Sequence, residues 1–237
     1  MRGKLTMINY DNPKIYQLRS IAVALTFCGG FIDAYTFIQR GGVLAAGQTG
    51  NIIFLSADIA KWNLPGALTK LATLVAFIAG IMVVEIINYW PHRSHYWRLM
   101  ILIAELATCF IVGLLPKTVS NIFIVPFLSF VMAMQTTAFS QIEGQAYNNV
   151  FTTGNLKKAV SGITRFVFAG VSEQRIVGLT YMQLVLGFAS GAITSAILQR
   201  IWAVKTIWVV VGILLIVGSY YGRLLFLRNR LWKKNRK

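Results

Sequence analysis

The sequence predicts an all-α polytopic membrane protein of the bacterial inner-membrane type. Six transmembrane helices form two inverted three-helix repeats, each with a broken or re-entrant Thr-Gly-Asn segment. Three observations predict it. Of 237 residues, 56% are hydrophobic and only 13% charged, at a mean hydropathy of +0.63, whereas soluble domains carry about 25% charged residues. Six stretches are apolar over the ~20 residues needed to cross a bilayer. And the Thr-Gly-Asn at Thr49 returns at Thr153, an offset of 104 residues.

In order, the expected spans are Ile21–Ile38, Ala67–Ile87, Leu99–Leu115, Ile122–Ile142, Ile176–Ile197 and Ile201–Tyr220. A single membrane domain follows, with repeat 1 over about residues 18–115, repeat 2 over about 122–220 and a basic tail at 223–237. The polar start before Arg19 is not a secretory leader, so the first span reads as a membrane helix. With both termini in the cytoplasm, only Arg40, Lys61, Lys70, Lys117, Arg200 and Lys205 of the 23 basic residues lie outside, as the positive-inside rule requires. The net charge of +16 therefore reads as topology and as contact of the tail with anionic lipid, not as nucleic-acid binding. Trp62, Trp90, Trp97, Trp202 and Trp232 fall near span ends, where aromatic belts sit. Pro126 is placed to kink the fourth span.

Two segments between spans are too apolar for ordinary loops: Gly41–Ala60, and Gly144 through Asn155 to Gly170. If both crossed, the chain would have eight helices and parallel repeats. Lys157, Lys158 and Arg165 lie mid-segment, and each would cost about 2.5–3.5 kcal/mol on insertion scales if exposed to lipid. Six spans plus two re-entrant segments is the preferred reading. The offset also pairs Ala34 with Ala138, Ile38 with Ile142 and Ile59 with Ile163. Three crossings per copy invert the second relative to the first, a plan recurrent in secondary transporters.

The candidate solute or ion contacts lie in and around these segments: Gln48, Thr49, Gly50, Asn51, Thr153, Gly154 and Asn155, with Lys157 and Lys158 nearby. A helix start inside the membrane presents free N–H groups and partial positive charge, which suits an anion; a tight turn that lets a broken helix pack is the competing role. Asp33 and Glu105 lie within spans and are candidates for proton or cation coupling, with pairing to Arg40 as the alternative. Gln135 belongs to a polar stripe on the fourth span. Cys28 and Cys109 lie within spans, and His92 and His95 share one loop. No metal site, cofactor or catalytic set is expected, and no enzyme.

Phe27-Cys-Gly-Gly-Phe-Ile-Asp33-Ala34, Gly41-Gly42-Val43 and Thr49-Gly50-Asn51 resemble the YoaK-like family of bacterial integral membrane proteins of unknown function. Leu44 and Gln48 stand where that family usually has Phe and Met. The resemblance runs from about Leu18 to Leu225; it implies about six spans and no substrate. From the residues themselves, the expected function is a secondary transporter or facilitator of a small, anionic solute, coupled to protons. The alternative is a non-transporting membrane scaffold, or a lipid- or partner-binding subunit. Expected partners are membrane lipids and the solute, with room for a homo-oligomer.

Overall fold

The computed structural model describes residues 14–90, 94 and 96–234. His92, Arg93 and His95 lie outside the described residues. Eight α-helices follow one another: α1 (Arg19–Gln39), α2 (Gln48–Ala60), α3 (Leu64–Tyr89), α4 (Trp97–Leu114), α5 (Val125–Ala138), α6 (Thr152–Ala169), α7 (Ser172–Trp202) and α8 (Trp208–Lys234). A two-residue hairpin, β1 (Gln141–Ile142) and β2 (Gln145–Ala146), follows α5. Its turn residues Glu143 and Gly144 both have positive φ, as the tightest hairpin turns demand.

Element boundaries follow local chemistry. Asn63 caps α3 by accepting from Gly66 N–H at 3.3 Å, with Pro65 in the first turn. Gly170, at φ +65°, ends α6 in the left-handed conformation. Pro126 sits in the first turn of α5 and opens that helix rather than kinking it. The expected fourth span overran its helix: Phe139–Ile142 leave the helical path for the hairpin. The expected sixth span began too early, because 203–207 form a 3₁₀ turn and α8 starts at Trp208. The basic tail is no separate appendage, since α8 continues through it to Lys234.

Among the described residues five helical stretches are long and apolar enough to cross a membrane, and the last, Ser172–Arg230, takes in α7 and α8 as far as Arg230. Those two run in opposite directions, because α7 runs with α1 and α4, whose starts lie together, while α8 runs against α4. Trp208 at the start of α8 donates its indole N–H to Phe110 O near the end of α4, while Asn229 near the end of α8 reaches Tyr96 at the start of α4.

The bundle is apolar outside. On α3 the residues Leu68, Leu71, Val75, Ile78, Met82 and Ile86 are exposed, while Thr69, Lys70 and Thr73 are buried. The exposed positions recur at three- and four-residue steps, so they form one stripe. A soluble helix would reverse that pattern. Lipid is the solvent that makes it favourable.

The helices that hold the centre are α1 against α7 and α3 against α5. Both crossings are close because small residues face backbone. A Cβ on Gly30 would collide with Phe188 O, one on Gly191 with Phe27 O, and one on Gly80 with Phe130 O. Outside this core α4 packs on α8, while the short α2 and α6 lie along α3 and α7.

These crossings set a stability test. Gly30→Ala should lower the melting temperature of the detergent-solubilised protein by several degrees, because overpacking costs about 1–3 kcal/mol. Gly212→Ala in α8, where a Cβ meets nothing within 4 Å, should leave it unchanged or raise it slightly. Equal effects in thermal melts would mean that the α1–α7 contact does not limit stability.

Candidate functional site

Each Thr-Gly-Asn opens a short peripheral helix whose Asn is buried, and each helix is preceded by chain that has turned back inward. Gly41 and Gly42, at φ +83° and +69°, make the first reversal. The Asn of each motif then fastens the residue seven positions before it. Asn51 Oδ1 accepts from Leu44 N–H at 2.9 Å, and Asn51 Nδ2 donates to Leu44 O at 2.7 Å. Asn155 does the same to Asn148, at 3.4 and 2.6 Å. Leu44 and Asn148 are themselves 104 residues apart, so the offset reproduces the bonds as well as the letters. Both Asn side chains are buried and turned to their own loops.

A helix start leaves amide groups without partners, and the buried chain just ahead of each start has amides of its own to satisfy. In the first copy Asp33, on α1, accepts from Ala46 N–H at 2.7 Å, while Thr36 Oγ1 accepts from Ala45 N–H at 3.1 Å. In the second, Asn148 Oδ1 takes Val150 N–H and Phe151 N–H at 2.9 and 2.8 Å. Val150 is the counterpart of Ala46 at the same offset. Asp33 thus has no repeat mate among the carboxylates because a local Asn does its work in the other half.

Glu105 is fully buried on α4 and anchors a polar chain. Gln135 Nε2 on α5 donates to Glu105 Oε2 at 2.6 Å, and Gln135 Oε1 accepts from Asn149 Nδ2 at 2.7 Å. Thr136 closes the chain with a hydroxyl bond to Asn149 Oδ1. The other Glu105 oxygen, Oε1, is buried with no hydrogen-bond partner among the described residues. Cys28 and Cys109, both buried, are within electrostatic reach of it.

Arg40 pairs with neither acid. It is fully buried at the end of α1 and reaches the terminal carbonyls of α4, Val112 O, Leu115 O and Pro116 O, at 2.9–3.2 Å, plus the Tyr35 hydroxyl. A cation there complements the negative end of the α4 dipole. Gln48 donates to Ser129 Oγ on α5 at 3.2 Å and also to Ala45 O. The two breaks therefore meet through α5, one at Ser129 and one at Gln135, and α2 and α6 do not pack on each other. Thr49, Thr153 and Gly154 face outward. Gly50 is half-buried against Leu44. Lys157 is exposed, and Lys158 binds Tyr181 OH at 3.1 Å, and also Ala146 O. Trp97 is buried under the Arg98 guanidinium instead of joining a belt, whereas Trp62, Trp90 and Trp202 are exposed.

Sequence reasoning missed Asn148 and Asn149. Their counterparts at the offset are Leu44 and Ala45, so scoring identities passed over them. A comparison that looked for polar groups gained in one copy would have found both.

Apolar outer stripes, helices broken inside the bundle and a buried polar chain between them define an integral membrane protein of the helical-bundle class. The chain belongs to the family described as "Protein of unknown function (DUF1275)", which matches residues 21–220. It is similar to the UPF0700 transmembrane protein YoaK of Bacillus subtilis (strain 168), with 23% identity over 205 residues, covering 82% of this chain and 88% of the relative. The YoaK-like resemblance of the Gly-Phe-Ile-Asp33-Ala34 and Thr49-Gly50-Asn51 segments thus extends to most of the chain. No solved structure matches.

Asn51→Ala and Asn155→Ala should each lower stability by about 1–3 kcal/mol, the range for buried polar groups left without partners. Hydrogen exchange should rise at 44–51 in the first variant and at 148–155 in the second. Unchanged exchange and melting in both would show that the Asn side chains do not hold the breaks.

Proposed function

We propose that the chain is a secondary transporter or facilitator of a small solute in the inner membrane, coupled to protons through Glu105. It crosses six times, with both termini in the cytoplasm, as two inverted repeats that each contain one re-entrant half-helix. The observation that carries this reading is the pair of Asn-fastened breaks that meet the same interior helix, α5, beside a buried carboxylate with one unbonded oxygen. Broken helices near a repeat interface are where such carriers bind ions and solutes.

Chain direction supports the inversion. Contacts between 16–19 and 141–143, and between Arg98 and Ala138 O, gather the starts of α1 and α4 with the end of α5. Arg40 and the α4 terminus gather the opposite end. Val23 lies by Gly187 and Phe27 by Gly191, so α7 runs with α1. Thr73 O meets Ser129, and Gly80 meets Phe130 and Ala133, so α3 runs with α5. The pairs α1–α7 and α3–α5 exchange under the repeat relation, as a two-fold axis in the membrane plane requires.

The interior around Glu105 favours a proton or a cationic or neutral solute over an anion. The amides just ahead of α2, at Ala45 and Ala46, are occupied by Thr36 and Asp33, and those just ahead of the first turn of α6, at Val150 and Phe151, by Asn148. Among the described residues neither Asp33 nor Glu105 has a cationic partner. Asp33 is a positioning group for α2. Glu105 differs because one oxygen is uncommitted, and a proton taken there removes a buried charge that is otherwise expensive.

Proteoliposomes carrying the full chain, loaded with a pH dye and offered a panel of small amines, metal cations and neutral solutes, test this. Wild type should couple solute entry to the pH gradient. Glu105→Gln should lose the coupling while retaining solute exchange, and Asp33→Asn should retain coupling in a less stable protein. Vesicles no more active than protein-free ones across the panel would favour the non-transporting scaffold, whereas a fully coupled Glu105→Gln would remove Glu105 from the coupling. Topology has its own check. With Cys28 and Cys109 replaced, Lys117→Cys and Ser172→Cys should label from opposite faces; eight crossings would put both on one face.

A further inference from the structure

The geometry points to a binding groove for a phosphate-bearing anionic lipid headgroup between α6, α7 and the β1–β2 hairpin. It stands apart from transport, because it faces outward and shares no residue with the Glu105 chain. The groove encloses about 710 Å³. One wall is a single face of α6: Gly154, Lys157, Lys158, Ser161 and Arg165, at helical spacing. The facing wall is Gln174, Val177 and Tyr181 of α7, and Gln145 and Ala146 close one end. No Asp or Glu lines it.

Three cations in one groove repel one another unless an anion joins them. Lys158 is anchored to the buried Tyr181, at 3.1 Å from its hydroxyl and 4.8 Å from its ring centroid, and to Ala146 O. A lysine ammonium has three donors, so one remains beyond those two acceptors. Lys157 and Arg165 are exposed and have no hydrogen-bond or ion-pair partner among the described residues. Gly162 forms the floor, where a Cβ would crowd Gly178 N. The walls are therefore drawn together by glycine contact while the cations stay at the mouth.

The neighbouring surface identifies the source of the phosphate. On the other side of α6, Leu156, Val160 and Val167 are 44, 51 and 61% exposed. That face is acyl-chain surface. A half-helix of 18 residues, about 27 Å long, that is apolar on one side and tri-cationic on the other suits the level where chains meet headgroups. The hairpin end of the bundle also carries Arg19 and Arg98, so it is the basic and, by the positive-inside rule, cytoplasmic end. A free phosphate would use the cations alone; a phospholipid uses both faces.

Lipid retention in native mass spectrometry of the full chain tests the site. The probes are phosphatidylglycerol and phosphatidylcholine added in equal amount, with inorganic phosphate as competitor. Phosphatidylglycerol should be retained preferentially. Lys157→Gln with Arg165→Gln should reduce that preference by about thirtyfold, the weight of two basic residues near an anionic surface, and Lys157→Arg with Arg165→Lys should keep it. Neutralising Arg228 and Arg230 should leave most of it. Displacement by millimolar inorganic phosphate would confirm the phosphate site but assign it to a soluble anion. Equal retention of the two lipids by wild type, or an undiminished preference in a folded Gln double variant, would overturn the proposal.

Discussion

A helix that starts inside a membrane protein has amide groups that neither water nor a preceding turn can satisfy, and in this chain that problem decides where the polar residues go. Leaving one such group bare costs about 1–3 kcal/mol. Each break exposes several, so an unsupported break would consume a large part of the stability of a small domain. The solution is a two-way bond from one Asn side chain to the backbone seven residues earlier, made by Asn51 and by Asn155. It closes the incoming loop on the helix it precedes. The amides just ahead of each helix, at 45–46 and at 150–151, are taken by Asp33, Thr36 and Asn148. The Gly crossings then become possible, because the loops are compact enough to sit between α1 and α5: a Cβ on Gly29 would strike Asn149 O.

The two halves solve the same problem with different atoms, and the difference is informative. In the first, the helix start draws on a carboxylate from α1; in the second, it draws on an amide within the loop. The first break is thereby tied to a neighbouring helix, whereas the second carries its own cap and leaves α5 side chains free. Gln135 and Thr136 consequently turn to Asn149, and through Gln135 the chain reaches Glu105. The inequality of the halves creates the polar connection between α4 and the second break. In the first half, Ala45 stands where Asn149 stands in the second, and no such extension is possible.

Much of this was legible in the residues. Apolar length gave the long helices, and the Thr-Gly-Asn recurrence located both breaks within a few residues. Lys157, Lys158 and Arg165, which argued against a lipid-exposed span, all fall on one groove-facing side of α6. Boundaries failed where apolarity does not mark helicity. Phe139–Ile142 contains no Gly or Pro to break the helix, yet it turns into a hairpin through the positive-φ pair Glu143–Gly144. The reversal between α7 and α8, by contrast, has Ala203 at φ +47° and no Gly or Pro to announce it. At the site, sequence ranked the Asn residues as ligands because it showed their position but not their partners. Partners across 30 residues, such as Glu105 and Gln135, have no signature in one sequence.

The contrast between the two interior carboxylates shows how a buried acid is sorted into support or function. Both are rare for membrane interiors, and rarity alone gives them equal weight. Geometry separates them. Asp33 receives a backbone amide at the positive end of a helix, a setting that holds a carboxylate in place whether or not anything is transported. Glu105 receives one side-chain amide on one oxygen and has the other oxygen bare among the described residues. A group that only stabilised the fold would be better replaced by an apolar residue of the same size, since removing both partners of a buried polar pair is often neutral or favourable. That Glu105 stands there incompletely bonded, at the end of a chain leading to a break in α5's neighbouring loop, is the arrangement expected of a group that changes state, whereas Asp33 faces the backbone amides that lead into α2.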